Sequence, residues 1–348
     1  MRSKILKTAR SLSIIIIFAV IGFVMLTCTN DDNGNLSDNH NHLFSSDFVI
    51  EPTCVNAGYT TQTCSHCPET RQINQKPATG QHNILNSVCV ICNHVEIIMA
   101  QIPTGTLTWE VTSWHHTIVT LSAFKIGIYE ITQEQYQAVM GYNPSQFHGR
   151  GNREPTIGEV QSKRPVEQVT WFDAVEFCNK LSEREGLTPV YTITERTPTS
   201  GYPITDAMVT ARWISNGYRL PTEAEWEFAC RAGSTTARYY GGNDIELINY
   251  AWYFSNSDDM THEVGKKLPN AFGLYDMYGN ANEWCWDLYG DYPMSDQSNY
   301  IGLQYGSERV IRGGFYNDSA SNLLSAVRDR RDPKTNGGSA IGFRVVRP

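Results

Sequence analysis

The stretch Gly217-Tyr-Arg-Leu-Pro-Thr-Glu-Ala-Glu-Trp-Glu-Phe-Ala-Cys-Arg231 decides the fold of this chain. Thr222 follows a proline and is a preferred helix N-cap, and Glu223 and Glu225 then lie in the first turn, near the positive end of the helix dipole. These two carboxylates are two residues apart and face different directions on a helix, so they do not make an acid/base pair. Trp226 is expected to bury a large apolar area. The stretch therefore predicts a helix from Thr222 to Arg231 that serves as scaffold rather than as active site.

Further sequence blocks accompany this helix in the C-terminal two thirds of the chain. They are Arg164-Pro-Val-x-x-Val-Thr-Trp-Phe-Asp-Ala-Val-x-Phe-Cys178, Phe272-Gly-Leu-Tyr-Asp-Met-Tyr-Gly-Asn-Ala-Asn-Glu-Trp284, and Arg309-Val-Ile-Arg-Gly-Gly314 running to Ile341-Gly-Phe-Arg-Val-Val346. In this order the blocks resemble the sulfatase-modifying factor family, which comprises formylglycine-generating enzymes and many non-catalytic relatives. The resemblance covers residues 97–347. It implies an α+β, C-type-lectin-like fold with little regular secondary structure and a mixed, partly antiparallel sheet.

The last block lacks the cysteines that this resemblance leads one to expect. The oxidising members of the family hold copper with two cysteines that follow the Gly-Gly pair, because soft thiolates suit Cu(I). In this chain those positions fall on Asp318 and about Leu323, and no cysteine follows Cys285. Cys178, Cys230 and Cys285 are predicted to be buried core thiols. We therefore expect no copper and assign no catalytic residue.

The loop between Asp276 and Glu283 carries a carboxylate at each end, with Gly and Asn residues between them. Oxygen ligands on a turning loop suit Ca2+. The alternative is an Asx-rich loop whose side chains bond to its own backbone. The resemblance implies a structural calcium site here, with two side-chain and two carbonyl ligands, and a second family site that matches only at Asn249 and Tyr250. The ligands of the first site are the side chains of Asp276 and Glu283 and the carbonyls of Gly279 and Ala281.

The segment from Phe315 to Ala340 is rich in Ser, Asn, Asp, Tyr, Arg and Gly and lies between two framework blocks. Such residues combine aromatic contact with adaptable hydrogen bonding, as in antibody loops. Lectin-fold relatives diversified by retroelements carry variable ligand-binding residues in the same final segment, and a fixed surface loop is the alternative. The segment predicts a binding face for an unknown protein, peptide or glycan. Its candidate residues are Phe315, Tyr316, Asp318, Ser319, Ser321, Asn322 and Arg330.

Residues 1–28 have the pattern of an export signal. Basic residues up to Arg10 precede an apolar run from Ser11 to Met25, as in the charged and apolar regions of a signal peptide. Met25-Leu-Thr-Cys28 resembles a loose lipobox, which predicts lipid attachment to Cys28. An uncleaved signal anchor is the alternative, because the apolar run is only slightly shorter than the roughly 20 residues that span a bilayer. In both cases we expect an exported, membrane-tethered chain in which residues 29–50 form a flexible linker.

Residues 51–96 form a small cysteine module with two Cys-x-x-Cys knuckles. Two knuckles about 20 residues apart have the spacing of a tetrahedral zinc ribbon. The exported setting favours disulfides instead, and the sequence leaves both open. A segment this short needs one or the other because its own core is small. The cysteines concerned are Cys64, Cys67, Cys89 and Cys92.

Residues 97–348 form the main domain. Thr132 and Thr170 are predicted N-caps of two helices, Gln135 completes a capping box, and residues 117–131 predict one or two strands. The formal net charge of -8 gives no general attraction to nucleic acid. Together these features predict a tethered, non-catalytic ligand-binding protein. The alternatives are a formylglycine-generating or related metal-dependent oxidase, and a structural envelope protein.

Overall fold

The computed structural model describes residues 44–50, 58–64, 70–76, 84–85, 88–89, 95–149, 154–241 and 243–348. Two compact units are present, a small one within residues 1–83 and 90–92 and a large one within residues 84–89 and 93–348. The predicted signal peptide with Cys28, and the knuckle residues Cys67 and Cys92, lie outside the described residues. The backbones of Cys64 and Cys89 lie in strands, which leaves zinc and disulfides both as predictions. Within the described residues, no helix has the length and apolar character needed to cross a membrane.

The small unit contains an antiparallel three-stranded sheet in the order β1-β2-β3. Its strands are β1 Phe44–Ile50, β2 Gly58–Cys64 and β3 Thr70–Lys76. Phe44 pairs with Cys64 at one end of β1, and Ile50 pairs with Tyr59 at the other. The first strand falls inside residues 29–50, where the sequence predicts a flexible linker. The run Phe-Val-Ile at the end of that segment favours a strand. The sheet of the small unit therefore begins before residue 51, where the sequence places the start of the cysteine module.

The described part of the large unit contains three α-helices, each with a threonine capping box at its start. They are α1 Gln133–Met140, α2 Trp171–Arg184 and α3 Glu223–Arg231. The hydroxyls of Thr132, Thr170 and Thr222 each accept the backbone N–H three residues on, and the side chain at that position bonds back to the threonine N–H. The predicted helix starts are confirmed.

The strands of the large unit are short, and the stretch 117–131 contains most of one strand and all of another, as predicted. They are β4 Ile84–Leu85, β5 Val88–Cys89, β6 Met99–Ile102, β7 Gly105–Thr112, β8 His115–Leu121, β9 Phe124–Gly127, β10 Tyr191–Thr197, β11 Asp206–Ala211, β12 Asn282–Leu288, β13 Gln297–Ser298, β14 Arg309–Arg312, β15 Arg328–Arg331, β16 Ile341–Gly342 and β17 Val346–Arg347. Short 3-10 turns lie at Gln161–Lys163, Asp244–Asn249, Ala320–Asn322 and Gly338–Ala340.

A four-stranded sheet in the order β15-β14-β12-β16 carries the terminal segment. Strand β12 pairs antiparallel with β14 and parallel with β16, and β14 pairs antiparallel with β15. Two three-stranded sheets, β13-β8-β7 and β17-β9-β6, and the pairs β10-β11 and β4-β5 complete the sheets among the described residues. This mixture of parallel and antiparallel pairs with a few short helices is the α+β fold with low regular secondary structure that the sequence predicts.

Aromatic side chains fill the core of the large unit, and Trp226 of α3 is among the fully buried ones. Its indole Nε1–H donates to Glu283 at 2.8 Å, which joins α3 to β12. At the start of the same helix, Glu225 accepts two hydrogen bonds of 2.6 Å from the guanidinium of Arg219. Both contacts confirm that the helix of residues 222–231 is scaffold.

Candidate functional site

The terminal segment leaves β14 through a tight turn at Gly313 and Gly314. Both glycines have left-handed backbones, with φ of 95° and 76°, a conformation that costs little only for glycine. A Cβ on Gly314 would lie 2.3 Å from Cδ2 of Leu323. Leu323 is itself fully buried. The turn therefore folds the segment over an apolar side chain, at the place where the resemblance to oxidising enzymes leads one to expect a cysteine.

Asp318 organises the loop that follows this turn. Its Oδ2 accepts the backbone N–H of Phe315 at 3.1 Å, and its Oδ1 accepts the Nδ2–H of Asn322 at 3.0 Å. Its backbone carbonyl accepts the N–H of Phe254 at 3.0 Å. The residue is only half-buried, so these bonds fix the loop while the carboxylate stays at the surface.

A pocket of about 210 Å³ lies between this loop and β15. Its lining includes Phe315, Asp318 and Asn322 of the loop and Asp329 and Arg331 of β15. These side chains present carboxylates, an amide and a guanidinium beside one aromatic ring, which is a set of donors and acceptors suited to a polar ligand. The structure thus brings three of the seven predicted binding residues together.

The sequence prediction missed nine of the twelve lining residues, and the polar side chains of Asn282, Asp329 and Arg331 are among them. Asp329 and Arg331 are two apart on β15, so their side chains leave the same face of the strand. Alternation along Arg328–Arg331 is the signal that predicts this pair once β15 is known to be a strand. Asn282 comes from β12, and nothing near it in the sequence indicates a place in the pocket.

Arg330 does not line the pocket, and its predicted place in a wider binding face stays a prediction. Its side chain leaves the opposite face of β15, where its Nε lies 2.9 Å from Oε2 of Glu308 and its guanidinium lies 4.7 Å from the ring centre of Tyr289. Composition identifies a segment rich in arginine but does not reveal which side of a strand each arginine takes. Arg331 occupies the place expected for Arg330.

Tyr316 is 7% exposed, which corrects its predicted role at the surface. Its backbone N–H donates to the carbonyl of Asn280 at 3.0 Å, and its hydroxyl lies 2.8 Å from Oγ of Ser339. Its ring packs edge-on against Phe147, with the ring centres 5.2 Å apart. The side chain therefore anchors the loop to the core, because these long-range partners satisfy both its ring and its hydroxyl.

Ser319 and Ser321 are exposed and share a hydrogen bond of 2.8 Å between their hydroxyls. They flank the start of the 3-10 turn at Ala320–Asn322 and lie outside the pocket lining. Their position leaves them available to a ligand larger than the pocket itself.

Ion pairs hold β15 and β14 against α3 beneath this pocket. The guanidinium of Arg328 donates to both carboxylate oxygens of Glu223, at 2.7 and 2.5 Å. Arg312 pairs with Glu227, and both side chains are buried. Such two-point, charge-assisted contacts fix the direction of a strand. Glu223 is thus a partner of arginine and not an acid/base residue, as the sequence predicts.

Cys178, Cys230 and Cys285 are free and fully buried, which confirms the prediction of core thiols. Burial raises the pKa of each thiol, to about 12 for Cys230. A thiol that stays protonated is a poor metal ligand and a poor nucleophile.

The loop between Asp276 and Glu283 contains one atom that fits a cation. Asp276 is 1% exposed; its Oδ2 accepts the N–H of Gly265 at 2.7 Å, whereas its Oδ1 has no hydrogen-bond partner among the described residues. Burial raises the pKa of this carboxyl to about 6, and the charge of Glu283 also raises it. A divalent ion would satisfy the buried oxygen and favour its charged form.

Glu283, the other predicted side-chain ligand, is an ion-pair partner. Its oxygens accept hydrogen bonds of 2.7 and 2.6 Å from Nε and Nη2 of Arg344, and Oε2 also accepts from Trp226. A cation at this carboxylate would share it with a buried guanidinium, and the calcium role of Glu283 stays a prediction. Across the described ranges, no group of three His, Cys, Asp or Glu side chains is placed to hold a metal ion.

The residues of the second calcium site pack around the 3-10 turn at Asp244–Asn249. The carbonyl of Asn249 accepts the N–H of Leu268 at 2.8 Å, and the ring of Tyr250 stacks on Tyr240 with the ring centres 4.1 Å apart. The second ion stays a prediction.

A family profile described as "Sulfatase-modifying factor enzyme 1-like domain" matches residues 96–348. The chain belongs to the sulfatase-modifying factor family. The resemblance carried by the sequence blocks is therefore confirmed, together with the α+β fold that it implies.

Within this family, the chain is similar to proteins whose names describe different functions. "Chaperone protein LppX" of Paenibacillus barcinonensis is 37% identical over 253 residues, which cover 66% of this chain and 81% of that protein. "Formylglycine-generating enzyme" of Streptomyces coelicolor is 35% identical over 159 residues, which cover 40% of this chain and 49% of the enzyme. Among solved structures, "Treponema denticola variable protein 1" is 40% identical with a TM-score of 0.67, and the match covers 73% of this chain and 96% of that chain.

Proposed function

We propose that this chain is a membrane-tethered, extracytoplasmic ligand-binding protein that uses the sulfatase-modifying-factor fold without its copper chemistry. The observation that carries the proposal is the pocket of about 210 Å³ at the terminal segment, whose lining includes Asp318, Asn322, Asp329 and Arg331. A protein, peptide or glycan ligand would present a polar group to this pocket and contact the exposed hydroxyls of Ser319 and Ser321 around it.

The chemistry of the two cysteine positions supports binding over oxidation. Asp318 offers hard oxygen atoms that are already bonded to Phe315 and Asn322, and Leu323 is an apolar side chain in the core. Soft Cu(I) prefers sulfur to both. A formylglycine-generating activity would need a different metal centre.

Export and calcium binding are two further parts of the proposal. The first rests on the sequence of residues 1–28, and the second rests on Asp276. The signal and lipobox of residues 1–28 support export and attachment at Cys28, which would place the binding face outside the cytoplasm. The unpartnered Oδ1 of Asp276 supports one structural Ca2+, with the carbonyls of Gly279 and Ala281 as its other protein ligands.

The binding test uses immobilised peptide and glycan arrays probed with the full-length chain in detergent micelles. Ligands held by the pocket should be lost in Arg331→Ala and in Asn322→Ala. Arg330→Ala is the matched control, because it removes the neighbouring arginine that leaves the opposite face of β15. Array binding that is equal in all three variants would remove the pocket from the proposal.

The oxidase alternative has a separate test. The pure chain is incubated with Cu(I), oxygen and a Cys-x-Pro-x-Arg peptide, and the peptide is analysed by mass spectrometry. We expect the cysteine to remain intact. Conversion of that cysteine to an aldehyde would overturn the non-catalytic assignment.

Genetic diversification of the terminal segment is tested on the gene. A near-copy of its 3' end beside a reverse transcriptase, differing mainly at adenines, would support it, and a single invariant copy would count against it.

A further inference from the structure

Strand β7 lies at the free edge of the sheet β13-β8-β7. Its sequence, Gly-Thr-Leu-Thr-Trp-Glu-Val-Thr, is rich in β-branched residues and contains neither Pro nor Lys. Natural sheets commonly block their edges with these two residues or with bulges, because an open row of N–H and C=O groups pairs with other chains. The edge of β7 carries one charge, at Glu110, and its register with β8 shifts between Glu110 and Thr112, so the open part of the edge is the regular stretch from Thr106 to Glu110.

The hydrogen bonds of β8 show which groups of β7 point outwards. The N–H of Ile118 donates to Oδ1 of Asp296, and the carbonyl of Thr120 accepts the N–H of Asn299, so both residues of β8 turn their backbone groups towards β13. Their partners on β7, Thr108 and Thr106, therefore form the non-hydrogen-bonded pairs of the antiparallel ladder.

By the same register Glu110, opposite His116, also turns its N–H and C=O to the free side. In the described part of the chain no hydrogen bond is made by the backbone N–H of Thr106, Thr108 or Glu110. Three alternate residues thus offer the donor and acceptor pairs that an added strand needs.

A groove of about 690 Å³ runs along this edge. Its lining includes two runs of consecutive residues, Thr106 to Glu110 and Gly233 to Ala237. Side chains alternate along a strand, so an unbroken run of lining residues shows that the strand presents its edge to the groove. Five residues of a strand span about 17 Å, which fits a short extended peptide.

The walls of the groove are fixed to α3. A Cβ on Gly105 would lie 2.4 Å from Cζ of Phe228, so β7 begins in direct contact with this ring. On the other side, Nη1 of Arg231 donates to the carbonyl of Thr236 at 3.2 Å, while the same guanidinium is held by Glu227. The groove is therefore preformed, and ordering of its walls costs a ligand little.

The hairpin that joins β7 to β8 also exposes apolar side chains. Trp114 at the turn is 94% exposed, and Ile118 on the outer face is 43% exposed. A fully exposed tryptophan stabilises nothing in the folded chain, whereas tryptophan is enriched among the residues that dominate interfaces. Trp114 lies beside the end of the open edge of β7, where it gives a partner strand an apolar side chain to pack against.

We propose that β7 captures an extended segment of a partner polypeptide, which adds to the sheet as an antiparallel strand. The pairing gives the segment a defined chemistry. Its residues opposite Leu107 and Trp109 point into the groove and are apolar. Its residues opposite Thr106 and Thr108 are exposed and polar, a basic residue faces Glu110, and an apolar residue at its N-terminal end lies towards Trp114. This site is separate from the terminal pocket and does not depend on it.

The probe is the blocked peptide acetyl-Leu-Lys-Val-Thr-Val-Thr-amide, titrated into the full-length chain in detergent micelles by calorimetry. In the proposed register the N–H groups of Lys and of both Thr residues face β7, and those of the two Val residues face away. N-methylation of the first Thr should weaken binding at least about tenfold, because it removes one hydrogen bond and introduces a clash. N-methylation of the first Val is the matched control and should leave the dissociation constant unchanged.

Hydrogen exchange locates the peptide on the chain. The amides of Thr106, Thr108 and Glu110 should exchange quickly in the free chain and slowly with peptide bound, while those of Leu107 and Trp109 are slow in both states. Peptide binding without this alternating protection, or equal weakening by the two N-methyl groups, would overturn the proposal, as would no binding of the parent peptide.

Three substitutions extend the test to the protein side. Thr108→Pro removes an outward N–H that the sheet does not use and should abolish peptide binding, whereas Thr108→Ala keeps that N–H and should bind. Trp114→Ala should weaken binding without changing the unfolding midpoint, because the side chain is exposed. If Thr108→Pro does not fold, the N-methyl pair and the exchange pattern still decide the question. The β7 site is separate from the terminal pocket, so Arg331→Ala should leave peptide binding intact.

Discussion

Arg344 and Glu283 form a two-point ion pair in the core, with Nε donating to Oε2 at 2.7 Å and Nη2 donating to Oε1 at 2.6 Å. Both side chains are at most 1% exposed. The remaining guanidinium hydrogen bonds go to the carbonyls of Gly127 and Tyr275. One residue of the final block thus joins β12, the end of β9 and the loop before Asp276. The ion pair accounts for a buried acidic side chain at position 283.

Removal of the positive partner should therefore be costly. Arg344→Met leaves Glu283 as an unpaired buried carboxylate, and we expect a loss of about 3–5 kcal/mol in the free energy of unfolding. The measurement is urea unfolding followed by tryptophan fluorescence. The double variant Arg344→Met with Glu283→Gln keeps an acceptor for Trp226 and removes the charge, so it should recover part of the loss. A double variant as unstable as Arg344→Met would show that packing rather than charge sets the cost.

Asp287 gives the chain a pH-dependent stability. Burial, together with the charge of Glu223, raises the pKa of its carboxyl from 3.8 to about 8. In the unfolded chain the group ionises near its ordinary pKa, so its contribution to stability is fully present below pH 4 and is lost as the pH rises towards 8. We expect the free energy of unfolding to fall by up to about 1.4 kcal/mol per pH unit across this window from this group.

The variant Asp287→Asn isolates that contribution. An amide keeps an acceptor for the N–H of Glu223, which Oδ2 of Asp287 binds at 2.7 Å, and cannot ionise. Urea unfolding at pH 5, 6, 7 and 8 should therefore give a flatter profile for Asp287→Asn than for the parent chain. Parallel profiles would show that Asp287 is ionised in the folded state.

The parts of the fold that local chemistry controls could be predicted from the sequence. Thr132 and Thr170 are cap residues followed three positions later by Gln135 and Asp173, and both helices start where this pattern places them. The capping hydrogen bonds form within one helical turn, so the helix start can be predicted without any contact to a residue distant in the sequence. The blocks of the terminal domain likewise indicated the family and hence the α+β fold.

The candidate site could be predicted only in part, because long-range contacts decide which side chains reach it. Tyr316 is buried by Phe147 and Asn280, which lie far away in the sequence. Arg331 rather than Arg330 lines the pocket because of the register between β14 and β15. Glu283 forms an ion pair with Arg344, which lies 61 residues further on. The composition of a segment does not reveal such long-range contacts.

Calcium binding at Asp276 is tested by thermal melting. Calcium in 100-fold excess over its dissociation constant should stabilise the chelator-treated chain by about 2.7 kcal/mol and raise its melting temperature. Asp276→Asn removes the charged ligand and should abolish this shift. Asp291→Asn is the control, because it removes a carboxylate at an exposed position. A melting temperature that calcium does not move in the parent chain would contradict the site.

The loop that carries Asp276 also allows a test of close packing against backbone strain. Gly279 and Gly141 both have left-handed backbones, with φ of 75° and 85°. A Cβ on Gly279 would lie 1.9 Å from the carbonyl oxygen of Trp252, whereas a Cβ on Gly141 would meet nothing within 4 Å. Gly141→Ala should therefore cost only the strain of a left-handed alanine, about 1–2 kcal/mol.

Gly279→Ala carries the same strain and in addition forces apart two backbone segments that are joined by the hydrogen bond from the N–H of Asn280 to the carbonyl of Trp252. Overpacking of this kind adds about 1–3 kcal/mol or more. Urea unfolding of the two variants under one set of conditions measures the difference directly. If both variants lose the same free energy of unfolding, the loop can move away from Trp252 without cost. The close contact between Gly279 and Trp252 would then not hold the loop in place.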